Sequence, residues 1–163
     1  MKVNALVNSQ NTLAQSAFFA LALMSASTVS FAADQVGNAN VEIVSAITIS
    51  EDTQIDFGQI INVNGTCTMA SGGTLSGTAG MGCTGTETPG VFTISGTSGA
   101  VIDVVVTTGS TVDGVTYNPV IDGSLTRTLT GGSATVNVIG NVVLNAATDG
   151  VKDIAYTFTA NYQ

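Results

Sequence analysis

The sequence predicts an all-β fold built as a two-sheet sandwich. Three observations carry that prediction. Turn signals recur at short intervals: Asn64-Gly65, Gly72-Gly73, Pro89-Gly90, Asp113-Gly114, Asp122-Gly123, Gly131-Gly132 and Asp149-Gly150. The runs between them are short, rich in Val, Ile, Thr and aromatics, and often alternate apolar with polar residues, which is the period of a half-buried strand. Beyond residue 32, no window repeats its apolar positions with a helical period, so no amphipathic helix competes with this reading.

Residues 1–32 read as an export signal. Lys2 is the only early charge, Ala17 to Val29 form a short apolar run, and Ser30-Phe31-Ala32 puts small residues where a signal peptidase reads. The run falls short of the roughly 20 residues that span a bilayer. Removal after Ala32 is therefore expected, with no membrane insertion afterwards. The first run of the mature chain is "ANVEIVSAITIS", with Ala39, Val41, Ile43, Ser45, Ile47 and Ile49 on one face of an extended strand. "TQIDFGQII" follows, with Ile55 and Phe57 sharing a face and Gly58 marking a bulge or a close approach. Residues 64–90 are rich in Gly and Thr, hold both cysteines, and read as irregular hairpins.

"VFTISG" supplies Phe92 and Ile94. "VIDVVVTT" is apolar on both faces, as a central strand can be. In "SLTRTLT", Arg127 shares a face with Leu125 and Leu129, which predicts a partly exposed face or an edge strand. "SATVNVIGNVVLN" keeps Val136, Val138, Gly140, Val142 and Leu144 on one face, with Gly140 expected to bend or bulge it. The last run, "DIAYTFTANYQ", puts Ile154, Tyr156, Phe158, Ala160 and Tyr162 on one face, and Asp153, Ala155, Thr157, Thr159 and Asn161 on the other. Eight or nine strands at this density of turns suit an immunoglobulin-like sandwich. No internal repeat, linker or second domain is visible.

Without its leader the chain keeps Arg127 and Lys152 against all eleven acidic residues, a net charge of −9. Nucleic acid and anionic lipid are poor partners for such a surface. The two cysteines, Cys67 and Cys83, are expected to form a disulfide, because export places them in an oxidising compartment. A metal site would need more ligands, and the chain has no His and no further Cys. No cofactor is expected.

Catalysis is not expected either. Without His, the usual side chain for proton transfer near neutral pH is missing. There is no Gly-x-Ser-x-Gly elbow. The glycines of "GTAGMGCTG" lie between hairpins, not between a strand and a helix, so they do not cradle a phosphate. Glu51, Asp52 and Asp56 are close in sequence, and paired carboxylates can hydrolyse a glycoside. Glu51 and Asp52 read as solvated turn residues. Tyr117 is the one tyrosine left over as a sugar-stacking platform, and the chain has no Trp.

Both ends of the mature chain are amphipathic, extended and open. A strand that ends a sheet has to be paired, covered or blunted, and one that pairs with another molecule gains main-chain hydrogen bonds and buries alternate side chains. The ending "ATDGVKDIAYTFTANYQ", with Tyr162 next to last, resembles the final strand of pilins assembled by the chaperone–usher pathway. The Phe57-Gly58 step in "TQIDFGQI", the export signal, the two cysteines and the scarcity of Lys and Arg are also similar. The order of segments from Ala33 to Gln163 looks like that of a family of secreted bacterial domains of unknown function. The chain departs from many pilins in one respect: Cys67 and Cys83 both follow the Phe-Gly segment.

The resemblance implies an incomplete immunoglobulin-like sandwich, completed by a strand donated from another chain. Residues 33–46 would be the donor extension and 47–163 the sandwich domain. Ala39, Val41, Ile43 and Ile47 would carry the donor strand. Tyr156, Phe158, Tyr162 and Gln163 would belong to the strand that walls the acceptor groove and meets a periplasmic chaperone. The implied partners are neighbouring copies of the chain, that chaperone and an outer-membrane usher, and the implied location is a fimbria at the cell surface. Two other functions fit the composition: a secreted adhesin or carbohydrate-binding module, and a coat or matrix protein that does not polymerise by strand exchange.

Overall fold

The structure, a computed structural model, describes residues 34–163. The export signal expected over 1–32 lies outside the described residues. The chain divides into a unit of residues 1–40 and a second of residues 41–163. Residues 34–40 are exposed and belong to no strand.

The second unit is almost all β, as the turn spacing predicts. Its strands are β1 (Thr48–Thr53), β2 (Gly65–Met69), β3 (Thr74–Gly77), β4 (Gly85–Thr86), β5 (Gly90–Ser95), β6 (Val101–Thr107), β7 (Val115–Ile121), β8 (Thr126–Thr128), β9 (Ser133–Leu144) and β10 (Thr157–Tyr162). They form a seven-stranded and a three-stranded antiparallel sheet that pack as a curled sandwich. β9 is the spine of the larger sheet. β5 pairs with its first half, from Ser95 opposite Ser133 to Gly90 opposite Val138. β2 takes over along the same edge, from Met69 opposite Gly140 to Gly65 opposite Leu144, and β3 and β4 extend the sheet beyond β2. β7 pairs with the other edge of β9, and β1 lies outside β5. In the smaller sheet β6 is central, between β10 and β8.

The alternation read from the sequence sets what lies inside. One core cluster gathers Cys67, Met69, Leu75, Met81, Cys83, Val115, Tyr117, Val142 and Leu144. The other gathers Phe92, Ile94, Ile102, Val104, Ile121, Leu129, Val136 and Val138. Among the described residues no charged side chain is buried. Arg127 is half-buried on the edge strand β8, where its Nη2 donates to the Asp122 carbonyl at 3.0 Å.

Four local expectations need correction. β7 did not stand out as a strand, because it contains Pro119. It is an edge strand, the place where a sheet tolerates a residue without an N–H, and Pro119 faces Gly140 across the ladder. Glu51 and Asp52 lie within β1, not in a turn, and Asp52 Oδ2 accepts from the Thr93 hydroxyl at 2.6 Å. The run from Ala39 is strand only from Thr48 onward. Residues 54–62 make one isolated bridge, Asp56 opposite Thr88, although Ile55, Phe57 and Ile60 pack against the first cluster. Gly58 turns the chain there with φ +64, and a Cβ would strike the Glu87 carboxylate, so the reading of a close approach holds.

Cys67 and Cys83 form a disulfide. It ties β2 to the loop before β4, and both residues are buried in the first cluster. Replacing both with alanine is expected to destabilise the domain by about 3 kcal/mol, the chain-entropy value for a loop of this size. A denaturant titration comparing the midpoints and slopes of the two proteins measures it.

Candidate strand-acceptor groove

The two sheets do not close on one side. Among the described residues, β1 pairs only with β5 and β10 only with β6. Each therefore presents an unpaired edge, with its remaining N–H and C=O groups available. Between the two walls runs an open groove of about 1400 Å³. Ile49, Ile55, Phe57 and Ile60 line the side of β1 and the segment that follows it. Ile154, Tyr156 and Phe158 line the opposite side, and Phe92, Val115, Tyr117, Val142 and Leu144 form the floor.

Local sequence explains both walls. In residues 151–156 the chain forms no strand, and burial still alternates, with Lys152, Ile154 and Tyr156 turned inward. That alternation continues through β10 to Tyr162. The strand predicted from Asp153 begins at Thr157, and the residues before it keep only the alternation of burial. One end of the groove is tied off: Asn62 Nδ2 donates to the Ala147 carbonyl and to Asp149 Oδ1, both at 2.9 Å. Lys152 adds bonds to Asp113 Oδ2 and Thr148 Oγ1, each at 3.0 Å.

An aromatic chain runs beneath the opening. Phe57 meets Tyr117 edge-on at 5.7 Å, Tyr117 meets Tyr156 at 5.3 Å, and Phe92 meets Tyr156 at 6.2 Å. Phe92 then stacks on Phe158 at 4.4 Å with the planes 9° apart. Such pairs contribute about 0.5–1.5 kcal/mol each beyond area burial, so the floor is a preformed surface.

The two tyrosines differ in how their hydroxyls fare. Tyr117 donates to the Ile139 carbonyl at 2.8 Å. The Tyr156 hydroxyl is buried with no hydrogen-bond partner. Burial pushes the Tyr156 phenol up to about 12, with Glu51 adding to the effect. Burial, then Tyr156, raises Tyr117 further. Both phenols hold their protons more tightly folded than unfolded. Their stabilising contribution is therefore intact below the ordinary tyrosine value of about 10 and is lost as pH climbs towards about 12. Melting temperatures measured between those limits should fall steeply. Tyr156→Phe should flatten the fall. It should also stabilise the domain at neutral pH by about 1 kcal/mol, because an orphaned buried hydroxyl costs about that much or more.

The sequence-predicted site residues separate into groups. Tyr156 and Phe158 stand in the groove wall. Tyr162 and Gln163 do not line it. Tyr162 is occupied at the far end of β10, and Gln163 Nε2 donates to Asp103 Oδ1 at 2.8 Å. Ala39, Val41 and Ile43 are exposed and in no strand. Ile47 is half-buried against the second cluster of its own domain, so it is not a free donor side chain. Tyr117 is buried, which removes it as a sugar platform. The floor residues Phe92, Val142 and Leu144 were legible as core and not as site, and Val115 on β7 was not picked out. The signal of the first three, inward alternation on two different strands, says nothing of which end of the core lies open.

No protein-family model, curated protein or solved structure matches the chain. The functional reading therefore rests on this geometry and on the chain's own N-terminal segment.

Proposed function

We propose that the chain is a structural subunit of an extracellular fibre, in which residues 34–44 of one copy fill the groove of the next. The observation that carries this is the apolar groove lying between two unpaired strand edges, β1 and β10. An extended segment laid there would pair with main chain on its flanks and place alternate side chains on the aromatic floor. The chain holds such a segment: Val41 and Ile43 alternate and are 78% and 88% exposed. Each apolar residue of that size contributes roughly 1.5–3 kcal/mol when buried, enough to offset ordering a short strand. Ile47 already belongs to the core, and both main-chain groups of Ser45 are bonded within the subunit. This supports a donor ending at Val44.

An open groove of this kind is an aggregation hazard. Passage through a periplasm would call for a chaperone strand as a temporary cover and an usher to exchange it, and catalysis has no part in the reading. The rim carries Glu51, Asp56, Asp149 and Asp153 against Lys152, and the donor carries Asp34 and Glu42. Like charges slow the encounter unless salt screens them. Assembly should therefore run several-fold faster at 0.5 M than at about 0.02 M salt, followed by light scattering.

The deciding experiment adds a synthetic peptide of residues 34–44 to a chain that starts at Ser45. Binding with a rise in melting temperature of several degrees is the expected result. A shortened chain that is already as stable and ignores the peptide would sink the reading.

A further inference from the structure

We propose that Tyr162 is a positioning residue for strand donation: its hydroxyl fixes the root of the N-terminal segment at Ser45 and so sets the angle at which that segment leaves the domain. The inference rests on the reading of residues 34–44 as a donor.

Three hydrogen bonds meet at this point. Tyr162 Oη donates to the Ser45 carbonyl at 2.7 Å and accepts from the Thr97 N–H at 2.8 Å. The Ser45 N–H donates to Thr97 Oγ1 at 2.7 Å. Both main-chain groups of Ser45 are thus satisfied by two residues distant in sequence, although Ser45 belongs to no strand. A ladder would hold it no more completely. The packing is cut to fit. Gly96 lies beside the phenol, and a Cβ there would collide with Tyr162 Oη. Glu42 and Val44 lie over Tyr162 and Gln163, with Ala100 and Val101 closing a small cavity.

The arrangement makes sense of two features left over from the groove. Tyr162 continues the inward face of β10, yet its ring ends at the opposite end of the strand from the groove. Val41 and Ile43 stand exposed just beyond the pinned residue. A segment tethered only at Ile47 would leave two further residues, Ser45 and Ala46, free to swing. With Ser45 clamped, the free part starts at Val44, and the strand presented to a neighbour has a defined direction. Because the same hydroxyl ties β10 to that root, a partner that grips β10 also acts on the donor.

The test uses the full chain with Tyr162→Phe, which keeps the ring and removes both bonds of the hydroxyl, and with Thr97→Val and Thr97→Ser. Hydrogen exchange of the monomer reads the clamp directly. The Ser45 amide should exchange at least tenfold faster in Tyr162→Phe and in Thr97→Val, and at nearly the native rate in Thr97→Ser, which retains the acceptor. Fibres of Tyr162→Phe imaged by electron microscopy should bend more, with a persistence length at most half the native one. Unchanged Ser45 exchange in both disrupting variants overturns the proposal, as does native fibre stiffness in Tyr162→Phe. Failure of the native chain to polymerise counts against strand donation, and the exchange rates still decide whether the clamp exists.

Discussion

Replacing Val41 and Ile43 together with aspartate is expected to abolish fibre assembly and leave the isolated subunit as stable as before. Both side chains face solvent in the subunit and belong to no strand, so their loss removes no packing from its core. In the joined state they would lie on an apolar floor. Losing two burials at roughly 1.5–3 kcal/mol each, at about 1.4 kcal/mol per tenfold, weakens the joint by two to four orders of magnitude. Two new carboxylates beside Glu51 and Asp56 add a desolvation and repulsion cost on top. Calorimetry of the monomer and an unheated SDS gel of the assembled protein check both halves. A fall in subunit melting temperature as large as the loss of assembly would place Val41 and Ile43 in the subunit's own fold instead.

The strands and the core were legible because period-two patterning acts locally. Phe92, Ile94, Val136 and Val138 were picked out by alternation alone, and all four are buried. The cysteine pair was legible from compartment and count. The ends of the elements were less so, for a physical reason. "ANVEIVSAITIS" alternates throughout, yet only its last three residues enter β1, because a strand needs a partner edge as well as a pattern. The residues ahead of Thr48 meet no strand edge, although Ser45 is held by Thr97 and Tyr162. Ile154 and Tyr156 likewise keep only the alternation of burial, without a ladder. The groove could not be read from any one segment. It exists only because β1 and β10, separated by most of the chain, end up as facing edges of different sheets. Tyr162 shows the opposite error: alternation put it on the same face as Tyr156 and the resemblance assigned both to the groove wall, but six residues of strand carry it about 20 Å along, beyond the groove.

Phe92 and Phe158 stack on one another, and truncating each to alanine should separate the subunit's own stability from that of the joint. Phe92 is 7% exposed on β5 and touches both Tyr156 and Phe158. Phe92→Ala should cost about 3–5 kcal/mol in the empty subunit, the usual range for a core aromatic. Phe158 is only half-buried, with one face on Phe92 and the other side towards the groove. Phe158→Ala should cost the empty subunit much less, about 1–2 kcal/mol of stacking and partial burial. With the 34–44 peptide in place the order changes. A donated strand would cover the exposed part of Phe158, so the variant loses that added burial too, and peptide affinity should drop by at least tenfold. Denaturant midpoints of both variants, with and without peptide, give the two differences directly. If Phe158→Ala binds the peptide as tightly as the native domain, the peptide does not lie against the β10 wall, and the groove is not where strands are joined.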